Sequence, residues 1–117
     1  VESGFSVLWS VKGHSRSAND DHIRVARYVP QKAVLSHAAC RAFLSHGGAN
    51  SLIEALSHGI PLVIMPFFGD QLSNAAALAD RGAGVVLSKT VTDPREVVEA
   101  VHEATRGRVV DAAQRLR

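Results

Sequence analysis

"FLSHGGANSLIEALSHGIPLVIMPFFGDQ", residues 43–71, holds two apolar runs, and each stops at a cluster of polar residues. The first run closes at His46-Gly47-Gly48, followed by Asn50, Ser51 and, one helical turn later, Glu54. The second, residues 60–66, is continuously apolar, the composition of a strand buried on both faces. It closes at Phe67-Phe68-Gly69-Asp70-Gln71. Between the runs, Leu52, Ile53, Ala55 and Leu56 fall at helical spacing, and Gly59 stands where a C-terminal glycine belongs.

The same alternation extends outward. "FSVLWSV" at 5–11 is β-branched and aromatic and reads as a strand, followed by a polar loop at 13–21. A second strand is expected over 22–29, ended by Pro30, then one or two helical turns over 31–39 and a strand over 41–46. Asp70 reads as the cap of a helix running to Arg81, with Gly82 just past its end, and 84–88 is another strand. Residues 92–105 give the clearest helix: Asp93 is its cap, Pro94 its first residue, and Glu96 completes a capping box. The tail at 108–117 also reads as helical. Short apolar strands alternating with helices imply an α/β fold, a Rossmann-like parallel sheet with helices on both faces. Ligands of such sheets collect at the carboxyl ends of the strands. Both polar clusters are therefore expected on one edge of one sheet.

Composition bounds the function classes. The chain has 117 residues, enough for one domain, taken here as 1–117, and 46% of them are hydrophobic. A formal charge of +2 with no block of Lys or Arg argues against nucleic acid as a partner. No apolar stretch approaches the roughly 20 residues of a membrane-spanning helix, so membrane contact is not evident in this chain. The lone Cys40 forms no internal disulfide, which is compatible with a reducing compartment and a cytoplasmic segment. The chain opens Val-Glu-Ser-Gly, without an initiator Met, and is expected to be an excised part of a longer protein whose membrane anchor, if any, lies elsewhere.

Each polar cluster has two readings. Strand, glycine turn and helix start make an anion site, because the first N–H groups of a helix lack partners inside it and its dipole is positive there. Gly47 and Gly48 let a phosphate approach the backbone, while His46, Asn50 and Ser51 supply donors. Alternatively, Ser51 and Glu54 form a capping box and the glycines are only a turn. Glu54 is either that box's partner or an acceptor for two neighbouring hydroxyls, as on a ribose. Asp70 and Gln71 are either a cap and a surface amide or a set of acceptors and donors for sugar hydroxyls. Tyr28, before Val29 and Pro30, either lies on a base or packs at a strand end, and Gln31 can reach a nucleoside.

Other chemistries lack their residues. There is no H-E-x-x-H, no Cys pair and no carboxylate cluster at metal spacing. His46-Gly47-Gly48 matches the oxyanion loop of α/β-hydrolases, but those enzymes need a Gly-x-Ser-x-Gly elbow. The nearest match, Gly13-His14-Ser15-Arg16-Ser17, lacks the final glycine.

The segment "RYVPQKAVLSHAACRAFLSHGGANSLIEALSHGIPLVIMPFFGDQLSNAAALADRGAGVVL", residues 27–87, resembles the signature of the UDP-glycosyltransferases, with wording closer to the animal and microbial branches than to the plant branch. The resemblance implies the C-terminal, donor-binding half of a GT-B enzyme that moves a sugar from a UDP-sugar to a small-molecule acceptor with inversion. It also implies that the donor domain's first strand, central in the family's sheet, is missing from this chain. By the same resemblance Tyr28, where the family usually has Trp, and Val29 meet the uracil, and Gln31 contacts the nucleoside. His46 faces the diphosphate, Gly48, Asn50 and Ser51 form its binding turn, Glu54 takes the ribose hydroxyls, and Asp70 with Gln71 holds the donor sugar. No metal or cofactor beyond the UDP-sugar is implied. The catalytic base is expected in the N-terminal acceptor domain, so none is expected here. A non-catalytic nucleotide-binding module and a related sugar-nucleotide epimerase stand as the alternatives.

Overall fold

The computed structural model describes residues 5–10, 22–88, 90 and 93–117. The loop expected over 13–21 lies outside them. The chain divides into two compact units, Val1–Val34 and Leu35–Arg117.

In the first unit, β1 (Val7–Ser10) pairs in parallel with β2 (Ile23–Ala26), with Val7 opposite Ile23 and Ser10 opposite Ala26. The Val7 N–H donates to the His22 carbonyl at 2.7 Å and opens the ladder. β2 is shorter than the expected 22–29: its ladder runs from Ile23 to Ala26, and the chain bends at Arg27. The chain then turns at Pro30 into α1 (Gln31–Ser36), whose first bond runs from the Val34 N–H to the Pro30 carbonyl. Pro30 has no N–H of its own to lose there.

In the second unit, β3 (Phe43–Ser45), β4 (Leu62–Ile64) and β5 (Gly84–Val86) form one parallel sheet in that order. The helices are α2 (Ala49–Ser57), α3 (Asp70–Asp80), α4 (Pro94–Ala104) and α5 (Gly107–Arg115). The parallel α/β architecture follows the alternation in the sequence. Its strands fall in two ladders, β1–β2 and β3–β4–β5, and among the described residues no pairing joins them.

β4 decides the core. Its three residues are fully buried, and their alternation sends neighbours to opposite faces. Leu62 and Ile64 join Ala55 of α2, Ala75 and Leu78 of α3, and Ala112 and Ala113 of α5. Val63 points the other way, onto Ala100 and Ala104 of α4, with Leu87. Helices thus cover both faces, which is why this run needs no polar residue. Small helix residues let the layers approach closely. At Gly84 a Cβ would lie 2.6 Å from a Leu78 methyl, so α3 packs against bare backbone of β5. Asp93 caps α4 as the sequence implies: its carboxylate accepts the Arg95 N–H at 2.9 Å. Among the described residues no helix is long and apolar enough to cross a membrane.

Candidate functional site

β3 and β4 are parallel neighbours, so their carboxyl ends share one edge of the sheet. That edge carries His46-Gly47-Gly48 and the start of α2, and beside it the loop from Met65 to Gly69 and the start of α3. Seven of the residues named from sequence, His46, Gly48, Asn50, Ser51, Glu54, Asp70 and Gln71, are placed there. Tyr28, Val29 and Gln31 belong to the other unit, at the carboxyl end of β2. Tyr28 is 81% exposed, so its ring is open to a ligand rather than packed at the strand end.

The turn into α2 is held from three sides. The Gly47 N–H donates to Ser45 Oγ at 3.1 Å, and Asn74 Nδ2 donates to the Gly47 carbonyl at 3.0 Å. Gly47 has φ +95°, which an L side chain rarely adopts, and a Cβ there would sit 2.9 Å from Ile64 Cγ2. Glycine is required on both counts. Gly48 follows as the N-cap in extended conformation, φ −63° and ψ 145°, and its carbonyl accepts the Leu52 N–H. It brings no side-chain cap to the first turn of α2.

This corrects the capping-box reading. Ser51 is the third residue inside α2, not its cap, and Glu54 lies a turn further on. The reason is local: the positive φ at Gly47 swings the chain into the helix by Ala49, too early for Ser51 to cap it. The helix start faces the carboxyl edge with the arrangement that suits an anion, donors along the backbone and no competing side-chain oxygen from the cap. The exposed His46 ring lies over Gly48, with Cε1 3.2 Å and Nδ1 3.7 Å from where a Gly48 Cβ would stand.

At the second cluster, the expected cap Asp70 is likewise displaced by one residue. Gly69, φ 64°, is the N-cap, and Asp70 is the first residue of α3 with its side chain exposed. The carboxylate is not spent on a cap and remains an acceptor on the edge. Gln71 Oε1 accepts the Phe67 and Phe68 N–H groups at 3.0 and 3.3 Å. That commits the amide oxygen and leaves the NH2 as the donor toward a ligand. Asp70 and Gln71 thus offer one acceptor group and one donor group side by side, a set that fits sugar hydroxyls.

Sequence reasoning missed Ser45 and Asn74, which touch the turn rather than any ligand. The available signal was the spacing of Asn74, four residues after Asp70 and so on the same side of α3. Between α2 and α3 lies an apolar groove of about 270 Å³ lined by Leu52, Leu56, Asn74, Leu78, Arg81 and Leu116 among others. None of the residues named from sequence lines it. Among the described residues no group of three His, Cys, Asp or Glu side chains is placed to hold a metal ion. The groups with shifted acidity lie outside the site. Burial pushes the Cys40 thiol up against a smaller opposing effect of the Ala42 carbonyl, and Asp93 and Arg95 stabilise each other's charge at the start of α4.

The chain is similar to known proteins in both sequence and fold. Residues 1–112 match the family described as UDP-glucoronosyl and UDP-glucosyl transferase. UDP-glucuronosyltransferase 2A3 of Pongo abelii is 36% identical over 99 residues, covering 85% of this chain and 19% of that protein. The human UDP-glucuronosyltransferase 2A3 is 42% identical over 87 residues, covering 74% of this chain and 16% of that protein. Among solved structures, UDP-glucose:anthocyanidin 3-O-glucosyltransferase in complex with UDP superposes with a TM-score of 0.85 at 30% identity, over 98% of this chain and 29% of that one. Os79 from O. sativa, in complex with UDP and deoxynivalenol-3-glucoside, gives 0.85 at 29% identity, over 98% and 30%. The chain therefore spans about a fifth of the length of the curated relatives it matches. With nearly the whole chain inside the family match and its α/β fold shared with these transferases, it belongs to the UDP-glucoronosyl and UDP-glucosyl transferase family.

Proposed function

We propose that the chain is the donor-binding part of a glycosyltransferase that moves a sugar from a UDP-sugar to a small-molecule acceptor with inversion. The observation that carries this reading is the shared edge: the start of α2 under His46 and the Asp70–Gln71 pair at adjacent parallel strand ends. Two structural relatives were solved with UDP, which fits the same ligand class.

In this reading the diphosphate lies against the Gly48–Ser51 turn, and Glu54 accepts from the ribose hydroxyls. The exposed face of Tyr28, flanked by Val29, stacks on the uracil, and Gln31 contacts the nucleoside. Asp70 accepts from a sugar hydroxyl while the Gln71 NH2 donates to a sugar oxygen. An acceptor hydroxyl, deprotonated by a base from the acceptor-binding half of the enzyme, attacks the anomeric carbon. The bond to the β-phosphate oxygen breaks and UDP leaves. Its growing negative charge meets fixed dipoles at the α2 N-terminus and a donor on His46. Such donors act without reorganising as charge develops, and losing one costs about 2.7–4 kcal/mol of barrier in comparable oxyanion sites.

The test is calorimetric titration of the 117-residue chain with UDP, beside His46→Ala. His46 is exposed, so the variant is expected to fold normally and to bind UDP roughly five- to tenfold more weakly. Equal affinities would remove His46 from the diphosphate site.

A further inference from the structure

The Gly47–Gly48 peptide unit is trans, so its C=O and its N–H point in opposite directions. Whatever holds the carbonyl of Gly47 therefore aims the N–H of Gly48. The holder is Asn74, whose Nδ2 leaves its own helix and donates to that carbonyl at 3.0 Å. Gly47 is held at its other end too: its N–H donates to Ser45 Oγ at 3.1 Å, and the space where a Cβ would stand is bounded by Ile64 Cγ2 at 2.9 Å and the Gln71 carbonyl oxygen at 3.4 Å. At the other end of the peptide, the Gly48 N–H makes no hydrogen bond among the described residues. An unsatisfied donor at the mouth of a helix start, held in place by a side chain from a different helix, is a built feature. A turn with Gly at both positions has wide conformational freedom otherwise.

We propose that Asn74 is a positioning residue for the anionic part of the donor: it locks the Gly47–Gly48 peptide so that the Gly48 N–H faces the diphosphate. This rests on the diphosphate reading of that edge. Asn74 touches no ligand in this scheme; it acts through Gly47. It also links the two halves of the site, because it sits one turn after Asp70 on α3. The orientation of the phosphate donor is thus tied to the helix that carries the sugar-binding pair.

Asn74→Asp is nearly isosteric and replaces the donor with an acceptor, which repels the Gly47 carbonyl. Affinity is read by titrating the 117-residue chain with UDP and, separately, with uridine. The Gly48 amide is followed by 15N–1H NMR. For wild type, UDP is expected to shift the Gly48 amide. For Asn74→Asp, UDP binding is expected to weaken about tenfold, uridine binding to stay within about twofold, and the Gly48 resonance to move already without ligand. The deficit is expected to narrow as pH falls toward about 4, where the introduced carboxyl gains a proton it can donate. Asn74→Ala carries the same UDP comparison should Asn74→Asp fail to fold. UDP affinity within about twofold of wild type, or equal losses for UDP and uridine, overturns the positioning role and leaves the diphosphate reading standing. A wild-type Gly48 amide that ignores saturating UDP overturns both.

Discussion

Asn74 Nδ2 and the Gly47 carbonyl meet at 3.0 Å across 27 residues of sequence, and this contact joins α3 to the turn that opens α2. The two polar clusters at neighbouring strand ends are therefore mechanically one unit. Its stiffness comes from Gly47, where no side chain fits, and from the hydrogen bond that Asn74 makes to it. Two consequences can be measured there, and a third prediction concerns the start of α4.

Gly47→Ala is expected to destabilise the chain by about 1–3 kcal/mol, through a positive φ and a Cβ 2.9 Å from Ile64 Cγ2. Gly69→Ala separates the two causes, since Gly69 also has positive φ but nothing lies within 4 Å of its would-be Cβ. Thermal melts followed by circular dichroism should show the larger drop for Gly47→Ala. Equal drops would mean that Ile64 yields freely and that the turn is not closely packed.

Gly48→Ala is expected to separate stability from binding. With φ −63° the backbone accepts alanine, and a loss within about 1 kcal/mol is expected for replacing glycine at an N-cap. The new methyl would lie 3.2 Å from His46 Cε1, so the exposed ring must move off the turn. UDP affinity should fall severalfold while the melting temperature changes little. An unchanged affinity would show that the observed ring position is irrelevant to the ligand.

Asp93 sets a pH dependence at the start of α4. Hydrogen bonds from the Arg95 side chain and N–H hold its carboxyl below the ordinary 3.8. A depressed folded-state value means that the contribution is complete above the unfolded value and is lost as pH falls through the folded one. Amide exchange protection in the first turn of α4 should therefore weaken below about pH 3.8 in wild type. Asp93→Asn, which keeps an acceptor and removes the titration, should flatten that part of the profile. The same acid-dependent loss in both proteins would assign it to other carboxylates.

The sheet strands and helices were legible because their causes are local. Residues 60–66 could be read as a strand buried on both faces because no polar side chain interrupts them, and Leu62, Val63 and Ile64 are indeed fully buried. Asp93 was legible as a cap because Asp-Pro places an acceptor and a preset φ at consecutive positions. Ser51 and Asp70 were misplaced as caps for a common reason. Each is a good capping side chain, yet at each site a glycine upstream with positive φ, Gly47 or Gly69, had already turned the chain toward the helix. Side-chain preference lost to backbone geometry.

Residue pattern alone determined the alternation of strands and helices, the double-sided burial of β4 and the edge on which polar groups gather, since periodicity and burial act over a few neighbouring residues. Only the tertiary structure decided what those groups can do. It moved the helix caps to Gly48 and Gly69, committed the Gln71 amide oxygen to the Phe67 and Phe68 N–H groups, and brought Asn74 to Gly47. Those outcomes depend on the closeness of β3, β4 and α3, a distance set by packing between elements far apart in the chain.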